Sequence, residues 1–277
     1  MTKAVPPAVA PQREDLFRSA SKATQAGWIR SCAQVGVVLA VVLVCAYYVG
    51  LLDAARMSAG VGDIVGLLGE AWPPDFTNLH SWWGPLRDSL AMSVAATALA
   101  VLLAIPVALL GARNTSPHPA VYWVARMVLN TLRSVPELIM AIVFVAAVGF
   151  GALPGALALG IHSAGMVGKF FAEAIEHAHP APIEAAEASG ATSLQVISHG
   201  VMPQVFPQFA DVTMYRWEYN FRASTVMGMV GAGGIGTELV GSLRLLDYPQ
   251  VSAVLIVILA TVTIVDALSN MLRKRFQ

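Results

Sequence analysis

The chain has 277 residues, of which 56% are hydrophobic and 12% charged, with 17 basic side chains against 17 acidic ones. A soluble domain carries about 25% charged residues and rarely exposes a large apolar patch, so an ordinary soluble enzyme is excluded and much of the surface is assigned to lipid. The zero net charge offers no basic field for nucleic acid. Cys32 and Cys45 lie on one apolar stretch, about 20 Å apart at helical rise, so they cannot bridge within it. No C-x-x-C spacing occurs, and the cysteines support neither redox chemistry nor a metal.

In chain order, residues 1–30 are rich in Pro, Ala and Gln and are predicted to form a cytoplasmic, largely disordered tail. The remainder, 31–277, reads as a membrane domain. A span needs about 20 mostly apolar residues. Residues 33–52 and 89–111 meet that requirement with no charge at all. The first is longer than the apolar part of a signal peptide and is expected to be retained. A third stretch runs from 120 to 150, interrupted by Arg133-Ser134-Val135-Pro136, and further spans are predicted at 156–177, 207–232 and 250–271. The predicted fold is all-α and polytopic, with about six transmembrane helices.

Orientation follows from lysine and arginine. Lys3, Arg13, Arg18, Lys22 and Arg30 precede the first span, and Arg273-Lys274-Arg275 follows the last, which predicts both ends in the cytoplasm. The segment 53–86 holds Arg56 against Asp53, Asp63, Glu70 and Asp75. With Trp72, Trp82 and Trp83 it suits the outer interface.

That map places 178–206 in the cytoplasm. Pro182 suits a first helical turn, and Glu184 and Glu187 stand near its positive end. Gly190 can adopt the left-handed conformation that stops the helix. Thr192-Ser-Leu-Gln195 reads as a capping box opening a second helix, expected to end before Pro203. Local physics leaves two roles open for these two short helices, a plain surface connection or a docking element.

Glu184-Ala185-Ala186, then Gly190, then Pro203 thirteen positions on resembles the EAA loop of ABC importer permeases. Gly200 stands where the family has Ile, and Met202 where it has Leu. Arg133-Ser-Val-Pro-Glu-Leu138, His162 through Glu173, and Val230-Gly-Ala-Gly-Gly-Ile-Gly236 resemble the phosphonate-transport branch, and the likeness covers 85–277. The resemblance implies a homodimer that works by alternating access, without an ATPase motif of its own. It also implies two partners besides the second copy and the lipid: a cytoplasmic ATP-binding subunit docked on Glu184 to Gly190, and an extracytoplasmic substrate-binding protein. The cargo it implies is phosphonate or a related small phosphorus oxyanion. No cofactor is implied.

Charges within spans are costly and are functional candidates by default. His162, Lys169 and Glu173 share one helical stripe, as do Arg216, Asn220 and Ser224, while Glu218 and Arg222 form a second i, i+4 set. Matching depth across the loop permits Glu173 to meet Arg216 and places His162 near Arg222. Lys169, Glu173 and Glu218 are read as structural ion pairs. His162, Arg216, Asn220 and Arg222 are read as candidate lining of an anion path.

Several features carry less. Arg133 and Glu137 flank the Pro136 kink and read as an interface anchor. Ser89, Ser93 and Thr97 read as a small-residue packing stripe. His177 and His179 lack a third metal ligand. Gly231 to Gly236 matches a dinucleotide fingerprint in letters but follows a membrane helix instead of a strand. The competing function is a proton-coupled secondary transporter that relays through Lys169, Glu173 and the fifth-span charges. It leaves the capped helices unexplained, and no inverted repeat is visible.

Overall fold

Long apolar stretches broken by Gly, Pro and Asp leave the backbone one solution in lipid, a series of helices, because each satisfies its own hydrogen bonds. The computed structural model describes residues 10–275, and side chains from 27 onward except 29. It contains helices and no strand among the described residues. The chain divides into two compact units, Met1–Gly69 and Glu70–Gln277.

The first unit holds α1 (Ala10–Val49) and nearly all of α2 (Ala54–Glu70). Helix α1 starts at Ala10, so most of the stretch read as disordered is helical, and residues 1–9 lie outside the described residues. Its apolar part, Arg30–Val49, buries nothing against protein, as a helix bathed in lipid would. Gly50 turns the chain at φ +81°, and Asp53 caps α2 by accepting from the N–H groups of Ala55 and Arg56, both at 3.1 Å.

The second unit runs α3 (Trp83–Leu110), α4 (Pro119–Ser134), α5 (Glu137–Val148), α6 (Ala152–Glu176), α7 (Pro180–Ala188), α8 (Ser193–Gln195), a π-helical turn (Val196–Val201), α9 (Met202–Met227), α10 (Gly236–Arg244) and α11 (Tyr248–Arg273). Helices α3 and α6 lie parallel and form the central pair. Ala96, Ala100, Ala104 and Ala108 recur every four residues on α3, each fully buried. Gly155 leaves room for Met92, and Gly160 for Leu99, so the two backbones approach closely. Near the α7 end, Phe171 of α6 stacks on Phe209 of α9 with ring centroids 3.8 Å apart.

Crossing α6 on another side, α4 comes closest at Gly165. A Cβ there would stand 2.8 Å from both the Leu129 carbonyl oxygen and the Arg133 nitrogen, inside any real contact.

Three described helices are long and apolar enough to cross a membrane: the Arg30–Val49 part of α1, α3 and α11. The stretch 120–150, expected as one interrupted span, is two helices bent by 84°. Pro136 has no N–H to continue the ladder, and Val135 before it is extended at φ −82°, ψ 122°. Helices α6 and α9 have the length to cross but not the apolarity, since α6 is rich in glycine and α9 holds Asp211, Arg216, Glu218 and Arg222. Arg216, Glu218 and Arg222 of α9 bond to side chains of other helices, whereas Lys169 and Glu173 of α6 pair within their own helix. The glycine motif 231–236 forms the turn between α9 and α10, fastened where Gly151 N–H donates to the Gly231 carbonyl at 3.2 Å. Helix α10 itself was not predicted.

Candidate transport site and coupling hairpin

Two places concentrate polar chemistry. The first is the hairpin of α7, α8 and the π turn. Helix α7 starts at Pro180, two residues before the predicted proline, and ends in a left-handed Gly190 at φ +79°. Ala191 N–H donates to the Ala186 carbonyl at 3.2 Å and Gly190 N–H to that of Glu187 at 2.9 Å, the paired bonds of a Schellman stop. Gln195 then reaches back to accept from the Thr192 N–H at 2.8 Å, as the capping box requires.

The second short helix does not end before Pro203. It passes through the π turn directly into α9, and Pro203 sits in the first turn of that helix, where a missing N–H is harmless. Gly200, which stands where the family has Ile, is buried in the π turn, where a Cβ would press on the Ile183 Cα at 3.3 Å and the Pro182 carbonyl oxygen at 3.4 Å. The small residue lets α7 lie close against the turn. Glu184, Ala185 and Gly190 are exposed and Ala186 is half-buried, so the surface they form is available to a partner.

The loop between α3 and α4 is clamped at the same end. Arg126 pairs with Glu176 at 2.9 Å and donates from Nε to the Gly111 carbonyl at 2.7 Å. Asn114 Nδ2 donates to the Ile175 carbonyl at 2.6 Å. Arg113 donates from Nε to the Tyr122 hydroxyl at 3.4 Å. That bond, with the charges of Tyr122 and Glu176, pushes its guanidinium pKa further up and keeps it cationic. Between this loop and the hairpin lies a cleft of 260 Å³, bordered by Ser116, Ile183, Glu187 and Ser193.

The second concentration is a polar layer in the middle of the helices. Thr97, His162 and Arg216 each stand about 20 Å along their helix from the hairpin end. Arg216, only 4% exposed, donates from Nε to Ser163 Oγ at 2.8 Å and lies over the Tyr219 ring at 4.0 Å. Ser163 donates to Asn220 Oδ1 at 2.7 Å, and Asn220 donates to Thr97 Oγ1 at 2.9 Å. Tyr219 donates to Glu137 Oε1 at 3.1 Å. His162 Nδ1 lies 3.0 Å from the Val135 carbonyl, left without a helical partner by the α4–α5 break. Its Nε2 faces Glu137 Oε2 at 3.9 Å. The layer thus knits α3, α5, α6 and α9 through one cation, one carboxylate and one imidazole.

The profile of the family described as "Binding-protein-dependent transport system inner membrane component" matches residues 100–277, well over half of the chain, taking in the hairpin and every residue of the polar layer except Thr97. The chain belongs to this family. Among its relatives is the phosphite transport system permease protein PtxC of Stutzerimonas stutzeri, 63% identical over 97% of this chain and 96% of that one. Another is the phosphate-import permease protein PhnE of Mycolicibacterium smegmatis, 40% identical over 84% of this chain and 43% of that one. The fold is that of a solved methionine ABC transporter, MetNI, in inward-facing conformations. The match has a TM-score of 0.62 at 19% identity and covers 71% of this chain and 96% of the other. The protein is a multi-pass membrane permease subunit of an ABC importer, and ATP hydrolysis belongs to a separate subunit.

Within the permease, His162, Arg216 and Asn220 meet in the layer as one connected group. Arg222 stands apart, half-exposed and paired with Asp266 of α11 at 3.3 Å. The depth-matched contacts are corrected. Glu173 pairs with Lys169 one turn away at 3.6 Å and not with Arg216, while His162 meets Glu137 and not Arg222. Glu218 pairs with Arg273 at 2.9 Å instead of Arg222. Depth along a helix fixes a layer but not the side of the helix, and the azimuth decided these contacts. Glu137, Ser163, Tyr219 and Thr97 were missed as members of the layer. The sequence signal for Glu137 is an acid beside a proline in an apolar run, and that for Thr97 is no more than a small-residue packing stripe. The glycine motif makes a tight turn, with Gly231, Gly233 and Gly234 at positive φ.

Proposed function

We propose that this permease carries a small phosphorus oxyanion (phosphite, phosphonate or phosphate) across the cell membrane, working as a homodimer by alternating access. The observation that carries the reading is the buried guanidinium of Arg216, held in a hydrogen-bonded layer about 20 Å from the coupling hairpin, where lipid cannot solvate an anion. His162 and Asn220 complete the lining, and Arg222, Lys169, Glu173 and Glu218 serve as structural pairs. The PtxC and PhnE relatives, named for phosphite and phosphate, support the cargo class. PhnE is about twice as long as this chain, with room for two such units in one polypeptide, which supports pairing of permease units.

In this reading residues 31–277 form the permease, 85–277 its core, and 178–206 its coupling loop. Both termini face the cytoplasm. The ATP-binding subunit docks on Glu184, Ala185, Ala186 and Gly190, with Pro203 starting the helix that transmits its motion. A substrate-binding protein delivers the anion to the opposite mouth. Proton coupling has no specific support, because Lys169 and Glu173 satisfy each other within one helix.

The test is uptake of phosphite into proteoliposomes holding the permease, its ATPase and its binding protein. ATP-dependent accumulation is expected. Glu184→Lys should reduce it at least about tenfold, a loss of 1.4 kcal/mol or more in coupling. Accumulation driven by a proton gradient without ATP would replace this reading with the secondary carrier.

A further inference from the structure

Three side-chain atoms among the described residues are buried without a hydrogen-bond partner: Glu137 Oε2, Arg216 Nη2 and Arg273 Nε. Arg273 Nε still faces a carboxylate oxygen of Asp211 at 3.0 Å. The other two belong to the polar layer, and they are of opposite kinds, one an acceptor and one a donor. Leaving a buried charged group short of partners is expensive, so a pair of such vacancies in one layer calls for a cause.

The surrounding bonds fix what each atom can do. Arg216 is committed through Nε to Ser163 Oγ, and its face to the Tyr219 ring, which leaves Nη2 as a donor. Glu137 accepts from the Tyr219 hydroxyl at Oε1, which holds Oε2 as the remaining acceptor. His162 cannot fill that place. Its Nδ1 must donate to the Val135 carbonyl, which only accepts, and its Nε2 stays 3.9 Å from Glu137, beyond hydrogen-bond range. The titratable groups facing Glu137 are therefore His162 from α6 and Tyr219 from α9, with Arg216 beyond the Tyr219 ring.

An anion whose oxygens only accept would satisfy Arg216 and set a bare oxygen against the Glu137 carboxylate. A tetrahedral oxyanion that keeps one proton meets both needs. An ionised oxygen accepts from Arg216 Nη2, and the hydroxyl donates to Glu137 Oε2. We propose that this layer selects singly protonated tetrahedral oxyanions, with Glu137 as the residue that rejects fully ionised ones such as sulfate. The proposal rests on the phosphorus-oxyanion reading above and adds a discrimination within the membrane, downstream of the binding protein.

The test uses the full permease with its ATPase subunit in lipid nanodiscs, without the binding protein. It is titrated calorimetrically with phosphite and with sulfate at mildly acidic pH, where phosphite keeps a proton and sulfate does not. The wild type is expected to bind phosphite at least about 100-fold more tightly than sulfate, the size of effect an unmatched buried charge produces. Glu137→Gln, whose amide can turn either a donor or an acceptor to the ligand, should bring that ratio below about tenfold. Glu137→Asp keeps the acceptor and should retain most of the preference. Arg216→Gln should weaken both anions.

Equal binding of phosphite and sulfate by the wild type, or no binding of either, overturns the proposal. So does a Glu137→Gln variant that assembles normally and keeps the full ratio. Each of these results can occur with phosphite uptake intact in the reconstituted transporter, so loss of the selectivity proposal is distinguishable from loss of the transport reading.

Discussion

The α7–α8 hairpin and the polar layer lie about 20 Å apart on the same helices and are held by different kinds of bond. Within the hairpin, Gly190, Ala191 and Thr192 bond to residues three to five positions away. In the layer, Asn220 bonds to Thr97 at 2.9 Å and Tyr219 to Glu137 at 3.1 Å, partners more than eighty positions distant in sequence. A local device can hold its shape while its surroundings move. A layer that joins four helices cannot, because any relative motion of those helices must break or exchange its bonds. This division suits a transporter in which one end is gripped as a rigid handle and the middle rearranges.

The layer is disrupted most severely at Asn220. It is fully buried and bridges Ser163 and Thr97, so Asn220→Leu removes two bonds and leaves both hydroxyls short of partners. We expect a loss of about 2–3 kcal/mol, seen as a lower unfolding temperature in detergent. A variant as stable as wild type would show that the layer does not hold the helices together. Gly190→Ala acts on the hairpin alone. Its φ of +79° strains any side chain, with a cost of about 1 kcal/mol. The loss should appear as faster hydrogen exchange confined to α7 and α8, and exchange spreading into α6 and α9 would argue against an independent hairpin. The smallest effect belongs to Lys169→Gln. Its half-exposed partner Glu173 is one turn away at 3.6 Å, and stability should shift by less than about 0.5 kcal/mol.

The same difference explains what could be read in the sequence. Gly190 and the Thr192–Gln195 box announce themselves because the residues that make the bonds are neighbours in the text. The π turn does not, since an i+5 ladder has no residue signature, and the helix was expected to stop short of Pro203 when it continues through it. In the layer, His162, Arg216 and Asn220 stand out as polar residues in apolar stretches. Their partners depend on which sides of α5, α6 and α9 meet, a matter of helix rotation that spacing alone leaves open. Glu137 looked like an anchor beside a kink, whereas the break at Pro136 exposes a carbonyl that draws His162 and brings Glu137 into the same layer. Helix α10 escaped because nine residues after a glycine turn look like any outer loop.

The proposed grip of the ATP-binding subunit on the 178–206 hairpin is tested most directly by a cross-link. Cys32 and Cys45, both exposed and free, are first replaced by serine. A single cysteine is then placed at Ala185 on the hairpin or at Leu79 near the opposite end of α3. With a short thiol-reactive linker in native membranes, Ala185→Cys should join the permease to its ATPase subunit, and Leu79→Cys should not. A linked ATPase at Leu79, or none at Ala185 in a complex that still hydrolyses ATP, would contradict the account.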